Sequence, residues 1–275
     1  RCGKYIVSTS DKESEKLNSV YENGMACGVD DLTYDDSLKS KYPFLRYNES
    51  IFSPSTGIFD SHSFIHSLSR DFQSSGGNIL LGNETLDVVQ SDKGFEVLVK
   101  DKNSNNQFLV ISKVLVNSAG LNAVHLANLI DEGNPYEEEY VKGEYYTYNG
   151  KEKLNSLIYP TPTENSLGLH ATIDLGKGIR FGPSAFIVDE IDYSISEDQK
   201  VNFVGSVQTY WPGIKAEDLT PGYSGIRPKL KGIQDFVVDS GGVSNSQYVN
   251  VLGYASPGLT SSLALAIEVS NRLDI

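Results

Sequence analysis

The spacing of apolar positions changes several times along this chain, and each change marks an element. Lys4 to Thr9 reads as a strand, and an acidic, amphipathic helical stretch follows from about Lys12 to Ala26. After Asp60, a capping residue, Phe64, Ile65, Leu68 and Phe72 recur at helical spacing over Ser63–Phe72, and Gly76-Gly77 ends that helix. Short strands are expected at Ile79–Leu81, Thr85–Val89, Phe95–Val99 and Phe108–Val116, the last interrupted by Ser112-Lys113 and read as buried. The polar run Asp101–Asn106 is a hairpin loop. Leu121–Ile130 reads as a helix, and Tyr140–Phe186 is β-rich and aromatic with turns at Asn149-Gly150 and Gly176-Lys177-Gly178. A helix over Asp198–Tyr210, strands at Val237–Val238 and Tyr248–Leu252, and an apolar helix over Leu259–Leu273 complete the pattern. Mixed elements with the chain crossing between them predict an α/β (α+β) fold, an α/β part interleaved with a part built on a mixed or antiparallel sheet.

Composition narrows the classes. The 275 residues are 39% hydrophobic and 21% charged, and a net charge of −13 repels phosphate backbones, which argues against nucleic-acid binding. A cationic pocket for an anion would have to be built locally. No apolar run approaches the roughly 20 residues of a spanning helix. Two cysteines, Cys2 and Cys27, indicate neither a disulfide framework nor a cysteine zinc site. The triplets starting at Asn48 and Asn83 fit the glycosylation pattern, with no signal peptide beside them. The chain opens on Arg1-Cys2-Gly3, and its only methionine is Met25, so a processed terminus or a fragment is expected.

Four segments carry candidate chemistry. Asn117-Ser118-Ala119-Gly120 joins a strand to a helix, and its small residues let a ligand approach backbone at a helix start. An ordinary tight turn reads the same way. In Ser256-Pro257-Gly258-Leu259-Thr260 the N–H groups of the following helix can meet developing negative charge, although a plain capped helix gives the same pattern. Arg227, in Gly225-Ile226-Arg227-Pro228-Lys229, can grip a carboxylate with a bidentate fork, or sit in a surface ion pair. Arg180 and Lys142 are further cations for a second acidic group. His170, in the alternating stretch Leu167–Thr172, can accept a hydroxyl proton or serve only structurally. His62 and His66 lie four apart on a helix but have no third metal ligand in view, so no metal is expected. Gly176-Lys177-Gly178 with Gly182 has the wrong spacing and context for a dinucleotide fingerprint. No hydrolase elbow is present.

Taken in order, these segments resemble the L-2-hydroxyglutarate dehydrogenase family, within the larger D-amino-acid-oxidase-like class. The matching stretches are Arg1–Val7, Ser53–Asp60, Val116–Leu121, Lys142–Tyr146, Leu157–Pro160, Gly168–Thr172, Phe181–Ala185, Gly225–Leu230 and Ser256–Thr260. The resemblance implies FAD as cofactor, contacted by Ser118, Ala119 and Gly120 and by Ser256, Pro257, Gly258, Leu259 and Thr260. It implies His170 and Arg227 as catalytic, Arg227 on a carboxylate, and Lys142, Tyr145, Tyr146 and Tyr159 around the substrate, with Arg180 or Lys229 as other second cations. The implied reaction is oxidation of L-2-hydroxyglutarate, a small dicarboxylate, to 2-oxoglutarate, with an electron acceptor such as a quinone pool and a mitochondrial location in a eukaryote. Members begin with a strand, a Gly-x-Gly-x-x-Gly turn and a helix, so this chain is expected to be an N-terminally truncated member with an incomplete Rossmann-like part. On that reading residues 60–130 and 220–275 form the FAD-binding part, and 1–59 and 131–219 the substrate part. The rival readings are another flavoprotein of the class, for glycerol 3-phosphate or an amino acid, and a cofactor-free, non-catalytic fragment.

Overall fold

In the computed structural model of the chain, the described residues are 1–91, 93–162, 168–243 and 246–273, with Val243 described for its backbone alone. In chain order the elements are β1 (Lys4–Val7), α1 (Asp11–Ala26), β2 (Thr33–Tyr34), α2 (Leu38–Lys41), β3 (Ser50–Ser53) and α3 (Ser61–Ser74). Then come β4 (Asn83–Ser91), β5 (Gly94–Asp101), β6 (Gln107–Ser112), β7 (Val114–Asn117) and α4 (Ala123–Ile130). The strands β8 (Glu138–Tyr148), β9 (Leu157–Pro160), β10 (His170–Ile173), β11 (Ile179–Gly182) and β12 (Phe186–Val188) precede α5 (Lys200–Gln208). Finally β13 (Leu219–Leu230), β14 (Val237–Val243), β15 (Ser246–Leu252) and α6 (Gly258–Arg272) close the chain. The fold is mixed α/β, and it divides into two compact units, each assembled from separate stretches of chain.

The first unit comprises residues 1–65, 142–186 and 192–225. Its sheet runs β12-β8-β11-β10-β9-β1-β3-β2, with β13 also paired to β8. β1 lies parallel to β9 and antiparallel to β3, while β10 is antiparallel to both β9 and β11. Alternation sorts these strands into two faces. Tyr5, Val7, Ile158, Ala171, Phe181 and Tyr146 turn inward, all buried, and pack with Phe203, Val207, Tyr210 and Trp211 into one core. The intervening residues form the other face, on which polar side chains collect. Helix α1 starts where the sequence offers a cap: Ser10 Oγ accepts from the Glu13 N–H, and the Glu13 carboxylate reaches back to the Thr9 N–H at 2.6 Å.

The second unit comprises residues 66–141, 187–191 and 226–275. It holds two three-stranded sheets, β4-β5-β6 and β14-β15-β7, the latter with β7 parallel to β15. Helix α4 covers both cores, through Ile130 on the side of Phe95 and Tyr248 and through Val124 and Ala127 on the side of Leu230 and Leu252.

Several elements differ from the sequence reading, which did not expect β2, α2 or β3. Ile79–Leu81 forms no strand, and Leu80 and Leu81 are exposed. Phe108–Val116 is two strands in two sheets, not one buried strand. The Ser112 hydroxyl donates to the Val114 carbonyl at 2.5 Å and accepts from the Val114 N–H at 3.3 Å, so local bonds satisfy the backbone at the switch. Apolar residues of β6 are open to solvent, Ile111 at 67%. The long strand β13 runs through Pro221 and Pro228, a segment whose prolines hid it from a propensity reading.

Candidate active site

In the second unit β7 ends at Asn117, which is 1% exposed, and its side chain locks the turn into α4. Asn117 Nδ2 donates to the Ala123 carbonyl at 2.7 Å and to Asn250 Oδ1 at 2.9 Å, while Oδ1 accepts from the Ala119 N–H at 3.2 Å. Asn250, on the adjacent strand β15, is equally buried. The lock leaves Ser118, Ala119 and Gly120 exposed, with Gly120 in the left-handed region at φ +60°.

The start of α6 is held by Tyr254, whose hydroxyl donates to the Gly258 carbonyl at 2.8 Å and lies 2.8 Å from Ser261 Oγ. A side chain on Gly258 would meet the Tyr254 ring at 3.2 Å, so a glycine suits this close approach. The Gly258 N–H is bonded to the Ala255 carbonyl, while Ser256, Pro257, Leu259 and Thr260 are exposed. Ser118 and Gly120, with Val116, Val251, Tyr254, Ser262, Leu265, Ala266 and Val269, line a mainly apolar cavity of about 390 Å³. The two turns singled out in the sequence thus belong to one unit, and the first opens on this cavity. Arg227 is also in this unit, half-buried on β13, and no carboxylate lies within ion-pair distance of it among the described residues.

In the first unit the outward face of the sheet brings His170, Tyr159 and Tyr145 into one neighbourhood. His170 stands opposite Tyr159 across the β9–β10 pairing, and the two rings stack at 3.6 Å between centroids and 6° between planes. Burial raises the Tyr159 hydroxyl above its ordinary pKa, aided by the nearby Cys2. On the other side of His170 is Gly182, at φ +145°, where a side chain would come within 2.6 Å of the Tyr145 ring. Its absence gives Tyr145 room to stack on Tyr223 at 4.6 Å. The Arg180 guanidinium sits 5.5 Å from the centre of the Tyr223 ring and pairs with Asp174 at 2.9 Å. Arg180, Asp174, Thr172, Tyr223 and the Ile58–Ser61 segment line an open cavity of about 550 Å³.

Two residues expected to contact substrate are buried and engaged within the protein. Tyr146 is a core residue, 0% exposed, its ring against Phe203 and its hydroxyl donating to the Ser196 carbonyl. Strand alternation explains this, since Tyr145 and Tyr146 must point to opposite faces. Lys142 is buried between Asp192 at 3.0 Å and Glu144 at 3.8 Å, so its charge is already matched. Hydrogen bonds from Ser194, and then Lys142, hold the Asp192 carboxyl down at about 2, whereas burial raises Glu144. Leu167 of the Leu167–Thr172 stretch lies outside the described residues. Among the described residues no three His, Cys, Asp or Glu side chains are grouped to hold a metal, and no helix is long and apolar enough to cross a membrane. The sequence reading gave no role to Lys4 and Thr172 and did not single out Tyr223 on the first unit's outward face, nor Asn250 and Tyr254 behind the two turns of the second. Strand alternation combined with register is the signal that collects the first group, and register is not legible locally.

A parallel strand pair with an exposed small-residue turn in one unit, and a sheet with a polar, aromatic face in the other, define the class as a mixed α/β protein. The chain belongs to the FAD dependent oxidoreductase family, whose model matches residues 1–272, and FAD is the cofactor of that family. It is similar to the mitochondrial L-2-hydroxyglutarate dehydrogenase of Arabidopsis thaliana, at 32% identity over 99% of this chain and 66% of that protein. The human mitochondrial L-2-hydroxyglutarate dehydrogenase is 26% identical, over 100% of this chain and 72% of that protein. The chain thus spans about two thirds of the length of these relatives. Among solved structures, the L-alpha-glycerophosphate oxidase of Mycoplasma pneumoniae with FAD bound matches with a TM-score of 0.84 at 21% identity, over 99% of this chain and 73% of that one. Glycine oxidase from Geobacillus kaustophilus matches at 0.77 and 16%, over 99% and 70%. At such identities these two show the fold.

Proposed function

We propose that the protein oxidises L-2-hydroxyglutarate to 2-oxoglutarate. The observation that carries this reading is the ring of His170, seated on Tyr159 in the polar face of a chain whose relatives include L-2-hydroxyglutarate dehydrogenases. The FAD of the family supplies the acceptor for the hydride that leaves C2 of the alcohol. Ser118, Ala119 and Gly120, with the Ser256–Thr260 helix start, are the residues that would hold it. Their fit rests on the exposed small-residue turn, its side-chain lock and the apolar cavity beside it. A ring nitrogen of His170 takes the hydroxyl proton as the C2 carbonyl forms, which balances the loss of H⁻ and H⁺ from the alcohol. Stacking on Tyr159 restricts the imidazole to one plane, so the proton acceptor is positioned before substrate arrives. Arg227 is the residue assigned to a substrate carboxylate, because its fork matches two oxygens and no protein carboxylate occupies it among the described residues. A quinone pool as final acceptor and, in a eukaryote, a mitochondrial location belong to the same proposal.

A second reading has its own observation. A glycerol 3-phosphate dehydrogenase of Caloramator mitchellensis is 25% identical over 99% of this chain and 56% of that protein. The test is turnover by the complete FAD-loaded gene product with an artificial acceptor, comparing L-2-hydroxyglutarate, glycerol 3-phosphate and a panel of amino acids. The proposal expects kcat/KM for L-2-hydroxyglutarate to exceed the others by at least about 10-fold, which one extra charge-assisted contact of ~1.5–3 kcal/mol supplies. A preference for glycerol 3-phosphate or an amino acid refutes it.

A further inference from the structure

The outward face of the first unit's sheet carries a cation to which the sequence reading gave no role. Lys4 lies on β1 opposite Leu157, two residues along the strand from Ile6, the partner of Tyr159, so that in the order β10-β9-β1 His170 faces Tyr159 directly and Lys4 faces it diagonally. Its ammonium sits 5.3 Å from the centre of the Tyr159 ring, the same ring that stacks on His170. Three other cations of this unit have carboxylates beside them: Arg180 has Asp174, Lys142 has Asp192 and Glu144, and Lys41 has Asp35. Among the described residues no carboxylate comes within ion-pair distance of Lys4. Burial lowers its pKa, with no neighbouring anion to offset the loss of water. An aromatic ring compensates a desolvated ammonium only in part. In a chain of net charge −13, a half-buried cation without an anion is a site prepared for one.

Resting on the proposed reaction, we infer that Lys4 is the specificity residue that binds the substrate carboxylate remote from the reacting carbon. Dimensions support the assignment. Two strands at a spacing of ~4.8 Å and a two-residue offset at ~3.3 Å per residue put the Cα atoms of His170 and Lys4 roughly 12 Å apart. Three bonds at ~1.5 Å put the C5 carboxyl carbon of a five-carbon 2-hydroxy diacid about 4 Å from C2, and the oxygen at each end with a hydrogen bond of about 3 Å extends the reach to roughly 12 Å. A dicarboxylate of that length joins His170 to Lys4 over the Tyr159 ring. A shorter dicarboxylate falls short of one end, and a monocarboxylate has nothing to offer Lys4.

The test uses the complete FAD-loaded protein with Lys4→Met and Lys4→Arg. Titration calorimetry measures binding of glutarate, which cannot react, and of butyrate, which lacks the remote carboxylate. Steady-state assays compare L-2-hydroxyglutarate with L-2-hydroxybutyrate. Lys4→Met is expected to weaken glutarate at least 10-fold, to lower the KM discrimination between the two substrates by a similar factor, and to act on KM far more than on kcat. Lys4→Arg should restore most of the glutarate affinity. Wild-type glutarate affinity in Lys4→Met overturns the inference. Lys4→Gln, checked by circular dichroism, replaces the methionine variant if that one does not fold. If the wild-type protein prefers glycerol 3-phosphate, the substrate reading falls, and Lys4 is then judged by whether Lys4→Met loses that anion. A wild-type protein that binds none of these anions overturns both.

Discussion

Replacing Asn117 by alanine tests whether one buried amide holds the turn that faces the cofactor. The substitution deletes three hydrogen bonds, to the Ala123 carbonyl, to Asn250 Oδ1 and from the Ala119 N–H. Two of the stranded groups recover easily: Ala119 is exposed to water, and the Ala123 carbonyl still has the helix ladder of α4. Asn250 does not recover, because it is 2% exposed and loses its donor. A buried hydrogen bond contributes about 1 kcal/mol net, and an orphaned buried acceptor costs about 1–3 kcal/mol. Asn117→Ala should therefore destabilise the protein by about 3 kcal/mol, a large part of an ordinary domain's ~5–15 kcal/mol. Adding Asn250→Ala removes the orphan, so the double variant should fall short of the sum of the singles by at least about 1 kcal/mol. Asn117→Asp, of the same shape, should cost about as much as alanine, since a carboxylate cannot donate to Asn250 Oδ1. Urea unfolding followed by tryptophan fluorescence and far-ultraviolet dichroism measures these values, and flavin-fluorescence titration measures FAD release. The loosened turn should raise the FAD dissociation constant about 10-fold. A loss below about 1 kcal/mol with full additivity would refute the lock, and an unaltered FAD affinity would detach it from the cofactor.

Gly182→Ala forces a methyl group to within 2.6 Å of the Tyr145 ring and 2.7 Å of the Glu144 carbonyl at a φ of +145°. A loss of at least about 2 kcal/mol is expected by urea unfolding, whereas Gly225→Ala, with open space around it, should stay within about 0.5 kcal/mol. Equal effects at the two positions would show that Gly182 is not constrained. The Asp192 carboxyl, held by Ser194 and Lys142 at about 2 in the folded chain against 3.8 ordinarily, has a depressed pKa. Its contribution is therefore present above about 4 and lost as pH falls towards about 2. Acid-unfolding curves of Asp192→Asn should be flatter than wild type in that window, and superimposable curves contradict the assignment.

The sequence by itself determined what depends on local spacing and on chemical type. It located α1, α3 and α6, the hairpin at Asp101–Asn106, and the turns at Asn117 and Ser256, because caps, periodicity and small-residue runs act within a few residues. Its reading of the family agrees with the family model across residues 1–272. It did not tell which apolar stripe is covered: the spacing of Ile65, Leu68 and Phe72 places α3, yet these side chains are 55%, 41% and 52% exposed. The tertiary structure decided everything that depends on register. Tyr145 and Tyr146 are neighbours in sequence, but the pleat sends one onto the polar face and the other into the core. Lys142 and Lys4 look alike as residue types, but only the fold brings Asp192 and Glu144 to the first and the Tyr159 ring to the second. Asn117 and Asn250 are 133 residues apart and form one lock because β7 and β15 pair in parallel. Spacing acts over a few residues and can be read in one dimension, whereas strand register is set by the whole sheet, and the side chains facing His170 are chosen there.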